Sequence, residues 1–109
     1  MKKTILSVLI ALSTISSAHA VNCNGISHAT AKRFKTGSDS QEILTAFCNV
    51  GVKMQVQGVD PHTFAAADAQ QAASMVREAG IAETTEGKTL VAAMADAGRL
   101  GYNASVNEN

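Results

Sequence analysis

Tryptophan is absent from this chain, and tyrosine and proline occur once each beside three phenylalanines. With Phe34, Phe47, Phe64 and Tyr102 as the whole aromatic stock, the core must be thin. A thin core leaves an apolar face to be shared with a partner or with a second copy of the chain. Cysteine is also scarce. Cys23 and Cys48 form no Cys-x-x-Cys pair, which excludes dithiol exchange and haem c attachment. No Gly-x-Ser-x-Gly elbow marks a hydrolytic serine, and the nine acidic residues are scattered, mostly at helix starts. No internal repeat, low-complexity linker or second domain is visible. A small helical chain of this composition reads as non-enzymatic, without cofactor.

Long apolar runs are missing after the first twenty residues, so nothing downstream predicts a membrane span. The first twenty have a pattern of their own. Lys2-Lys3 is followed by an apolar stretch from Ile5 to Ile15 and by Ala18-His19-Ala20, a small-x-small cleavage site. That is the three-part pattern of a secretory signal peptide over residues 1–20. Val21 rather than a cysteine follows the cut, so no lipid anchor is expected, and residues 21–109 form a single small domain. The style of the signal points to bacterial export, to the periplasm or the medium.

Processing changes the charge balance. Without Lys2 and Lys3, the cations Lys32, Arg33, Lys35, Lys53, Arg77, Lys88 and Arg99 face nine Asp and Glu, for a net charge of −2. Apart from Lys32-Arg33-x-Lys35 they are dispersed, and the basic stripe required for nucleic acid is lacking. In an oxidising compartment two cysteines in a small domain predict one disulfide, Cys23–Cys48. Closing that loop stabilises the fold by about 3.5 kcal/mol on chain-entropy grounds.

The rest of the chain reads as helices: an all-α fold, a small bundle of three to four helices stapled by the disulfide. The first runs from a Ser27 cap to about Lys35, with Ile26, Thr30 and Phe34 four apart. The second opens on a Ser38–Gln41 capping box and carries Ile43, Phe47, Val50 and Met54, widened by Leu44 and Cys48. Gly58 followed by Val59 closes it. Residues 50–56 also alternate as a strand would, but no other segment offers that strand a partner. Asp60 and Pro61 start the third helix and Gly80-Ile81 ends it. Its small residues Ala65, Ala69, Ala72, Val76 and Ala79 form a stripe that predicts close approach of a neighbour. The fourth helix begins at Thr84 or Thr85, shows Leu90, Val91, Met94 and Ala97, and ends at Gly98 or Gly101. Residues 103–109 read as a frayed tail.

Three motifs bear on chemistry. Ala82 to Thr89 matches a relaxed phosphate-loop pattern through Gly87-Lys88-Thr89. It follows a helix instead of a strand and holds two glutamates, so a turn with threonine caps is the better reading. Cys23, His28, Cys48 and His62 are metal-binding residue types, but their spacing is not that of a zinc motif, and no metal is expected. Asn103-Ala104-Ser105 matches a glycosylation sequon by coincidence. Met54, Met75 and Met94 fall on apolar faces as core filling.

The expectation is therefore a non-catalytic periplasmic protein-binding protein. Its most concrete form is an inhibitor or immunity-type protein directed at a toxin that attacks the cell envelope. The partner would be another protein, a toxin or an envelope component, met through Lys53, Gln55, Gln57, Asp60 and His62 between the second and third helices. Alternatives are a chaperone, assembly or secretion-system accessory factor, and a metal-binding protein.

Overall fold

The computed structural model describes residues 21–108, and the export signal read in residues 1–20 lies outside them. Among the described residues four helices follow one another: α1 (Cys23–Phe34), α2 (Gln41–Val56), α3 (Pro61–Glu78) and α4 (Thr85–Glu108), with one 3-10 turn at Ser38–Ser40. No strand occurs among the described residues, so residues 50–56 are helical. The all-α fold and the Cys23–Cys48 disulfide are as the sequence predicts.

Helix ends follow local chemistry. α1 starts four residues earlier than expected, because Asn22 Oδ1 accepts from the Gly25 amide at 2.9 Å and caps it. Ser27 is no cap: it is fully buried, and its hydroxyl lies 2.6 Å from that of Thr45 on α2. Lys35 closes α1 in the left-handed region, φ 58°, a conformation that usually favours glycine. The Ser38–Gln41 capping box does not form. Residues Ser38–Ser40 wind instead into the 3-10 turn, and the Ser40 side chain makes no cap bond to α2. Gly58 (φ 83°) and Gly80 (φ 76°) end α2 and α3 with paired amide bonds back to the last turn, Val59 N to Met54 O and Ile81 N to Val76 O among them. Asp60 caps α3 through the Thr63 amide at 3.0 Å, with Pro61 in the first turn.

α4 departs most from expectation. It runs through Gly98 and Gly101 to Glu108; Tyr102 is buried just past the expected end of the helix, and Ser105 is buried where a frayed tail was expected. α4 packs most extensively against α2, and there the two backbones touch. A Cβ on Gly51 of α2 would lie closer than 3 Å to Gly98 O and Tyr102 N, and one on Gly101 closer than 3 Å to Cys48 O. These glycines are therefore contact points that set the helix spacing.

The close approach predicted for α3 is made by only part of that stripe, Ala72 and Val76. α3 buries Phe64, Asp68, Ala72 and Val76, a strict spacing of four, while Ala65, Ala69 and Ala79 are exposed. Phe47 and Leu44 of α2, Val76 and Ala72 of α3, and Ala93, Met94 and Ala97 of α4 form the main core together with Ala31. α2 buries a face one position further round than expected, centred on Leu44, Phe47, Cys48, Gly51 and Val52. The disulfide and Val52 make a second cluster, with Val21 and Ile26 against it. Ser27 and Thr30 of α1 are sealed within the fold, with Thr30 donating to Ile26 O at 2.8 Å.

Two outcomes follow. Gly51→Ala, which in an ordinary helix interior would stabilise by up to about 1 kcal/mol, destabilises here by about 2–3 kcal/mol. Gly58→Ala meets no atom and costs only the left-handed backbone, about 1 kcal/mol; urea midpoints of the two variants rank them. Replacing both Cys23 and Cys48 by serine lowers unfolding free energy by about 3.5 kcal/mol, read by calorimetry with and without reductant.

Candidate functional site

α3 and α4 enclose an open cleft of about 530 Å³, walled by Pro61, Phe64 and Ala65 of α3 and by Ala92, Ala95 and Tyr102 of α4, with Phe34 of α1 also lining it. The α4 residues that line it recur at helical spacing, so one face of α4 forms a continuous wall. Phe64 and Tyr102 stack across the helix pair, ring centroids 4.8 Å apart at 17°. The Tyr102 hydroxyl donates to Val59 O at 2.5 Å, which fastens the α2–α3 loop to α4. The cleft mouth is thus built on immobilised parts.

Its polar groups fall into two sets. Asp96 is gripped by two guanidinium groups: Arg33 of α1, and Arg99 one turn on, which donates through Nε at 3.1 Å and Nη2 at 2.5 Å. Arg33 also lies over the Phe34 ring, 5.2 Å from its centroid. Both Asp96 oxygens are engaged.

Asp68 is the second set. It is only 7% exposed and makes no hydrogen bond or ion pair among the described residues. The other buried polar side chains are held: Ser105 donates to Gln55 Oε1 at 2.7 Å, and Asn49 is engaged. Among the described residues no fully sealed side-chain oxygen or nitrogen lacks a partner, so the Asp68 oxygens keep contact with the cleft. Behind them stands Gly98, where a Cβ would run into the carboxylate. Burial pushes the Asp68 carboxyl up to about 7, because the charged form loses its water.

The residues predicted to meet a partner are spread across different settings. Gln57 and His62 are exposed, and Lys53 is half-buried. Gln55 is tied to Ser105, and Asp60 is tied to Thr63, whose hydroxyl donates to it at 2.6 Å. Those bonds from the Thr63 side chain and amide hold the Asp60 carboxyl below its ordinary range. Pro61, between Asp60 and His62, lines the cleft, so that loop borders the cleft mouth. The metal-binding types do not come together. Cys23 and Cys48 are bonded to each other, His28 and His62 are exposed, and no metal-holding cluster occurs among the described residues. Gly87-Lys88-Thr89 lies in the first turns of α4, with the Thr84 hydroxyl accepting from the Gly87 amide at 2.9 Å as a cap. Ser105 of the sequon is buried within α4.

Asp68 was missed because a carboxylate in an alanine-rich run reads as a solvated face. The signal lay in its spacing, four residues from both Phe64 and Ala72. The chain matches no protein-family model, and no curated protein or solved structure is significantly similar to it.

The pH response follows from the raised carboxyl. Its folded value near 7 exceeds the ordinary 3.8, so between those limits the folded state binds more protons than the unfolded state. Stability therefore falls as pH rises through this window, by up to about 1.4 kcal/mol per pH unit. Urea unfolding of wild type and Asp68→Asn across pH 4–8 separates this from other carboxylates. The wild-type deficit should grow with pH, leaving the variant the more stable protein at pH 8.

Proposed function

We propose that this chain is a non-catalytic binding protein that works after export, with another protein as its partner, and that its role is inhibition or immunity against a toxin directed at the cell envelope. One observation carries the reading: the apolar cleft opens beside the α2–α3 loop on a scaffold already fixed by the disulfide and the helix contacts. A surface held rigid before binding loses little entropy on association, and this favours tight inhibition. Phe34, half-buried, lines that cleft beside the buried Phe64–Tyr102 stack, and aromatic side chains are the usual anchors of protein interfaces. The slight negative balance of residues 21–109 suits a basic partner better than an acidic one.

The reading is checked in the native host. Photo-crosslinking residues placed at Gln57 and His62 should capture one and the same protein, whereas one placed at Glu83, on the α3–α4 loop, should not. Deleting the gene should sensitise cells to a wall-targeting toxin secreted by a neighbour, and a plasmid copy should restore resistance. Full resistance of the deletion strain to every such toxin would remove the immunity role.

A further inference from the structure

We propose that the cleft receives a lysine or arginine side chain presented by the partner protein, its alkyl stem along the apolar walls and its cationic head at the Asp68 carboxyl. This rests on the protein-binding reading above and names the chemistry of its anchor.

Asp68 is more than nine-tenths buried, without a hydrogen bond or ion pair among the described residues, and its oxygens meet the cleft. A buried carboxyl in that position calls for a donor from outside the fold. At the cleft rim Asp96 lies between Arg33 and Arg99 and accepts from both, a group with one positive charge in excess, whereas Asp68 deeper in has no donor. Neutral apolar ligands would suit the walls but leave Asp68 as it is.

A long basic side chain meets both requirements. Its methylenes pack on the apolar walls of the cleft while its head seeks charge. Entry of the head favours the ionised form of Asp68 and so releases its proton. The charged groups around that step are Asp96 and Arg99 of α4 and Arg33 of α1 through Asp96, while no residue of α2 lines the cleft. With a carboxyl that titrates near 7, affinity for a cation should rise about tenfold from pH 6 to pH 8.

The test uses the isotope-labelled chain and two sets of probes followed by amide chemical shifts. Phenethylamine is compared with phenethyl alcohol and hydrocinnamate, and acetyl-alanyl-lysyl-alanine amide with its norleucine counterpart. The expected result is that both cationic probes shift Ala65, Asp68 and Tyr102 and bind at least about tenfold more tightly than the uncharged ones. Asp68→Asn, which retains the shape, should abolish that preference and the rise with pH. Equal binding of hydrocinnamate, equal binding of the norleucine peptide, or an unchanged preference in Asp68→Asn overturns the proposal. So does binding of phenethylamine with exclusion of the lysyl peptide, which would make this a site for small amines. Crosslinks persisting at Gln57 and His62 while the probes show no preference would overturn the cationic anchor and leave the binding reading standing.

Discussion

The contact between the backbones of α2 and α4 governs the rest of this molecule. Gly51 meets Gly98, and Cys48, one turn earlier on α2, meets Gly101, one turn later on α4. Two pairs at a spacing of three residues fix both the separation of the helices and their register, since neither can slide without driving a side chain into a backbone. Three further features depend on that register. Ser105 reaches Gln55, Tyr102 reaches Val59 O, and Asp68 of α3 lies against the bare Cα of Gly98. The cleft opens where the Asp68 carboxyl of α3 meets the bare Cα of Gly98.

A bundle so poor in rings relies on close packing and on a staple. Leu44, Met94 and Val52 are the largest sealed apolar side chains, and alanines fill much of the remaining core. Interior dispersion is a sum over many small contacts, so helices carrying alanine and glycine must come close to collect it. The α1–α2 interface is partly polar, through the hydroxyls of Ser27 and Thr45. The disulfide compensates there, joining the first turn of α1 to the middle of α2 where apolar packing is sparse.

Helix ends were legible where backbone chemistry is local. Asp60-Pro61, Gly58-Val59 and Gly80-Ile81 each act through one or two residues, and each sits where its chemistry requires. Helix interiors were less so. Gly98 and Gly101 resemble stop signals, and only a neighbouring helix turns them into contact points; the same residue type ends α2 and threads α4. Ala65, Ala69 and Ala79 look like a packing stripe, yet small residues show no preference for burial until a large neighbour such as Phe64 sets the rotation of the helix. The cleft was illegible for a related reason. Its walls come from α1, α3 and α4, residues far apart in the chain, and the carboxyl at its base looks like any surface aspartate until α3 is rotated into place.

That carboxyl is also the least economical choice for the free protein. It lies against the Gly98 backbone, and an apolar residue of similar volume would avoid the desolvation that raises its affinity for a proton. The other ionic group at the cleft shows that the fold can satisfy an acid: Asp96 has two arginines. An acid left unsatisfied beside one so fully satisfied is not explained by the stability of the isolated bundle. It is explained if the missing donors arrive with the partner. The energy withheld in the free state is then recovered in the complex, where only a ligand that brings a donor to the right depth recovers it. Discrimination of that kind follows because a ligand lacking the donor would seal the carboxyl away unpaired. The rigid α2–α4 contact makes such a test of depth possible, since a soft bundle would close over Asp68 and satisfy it from within.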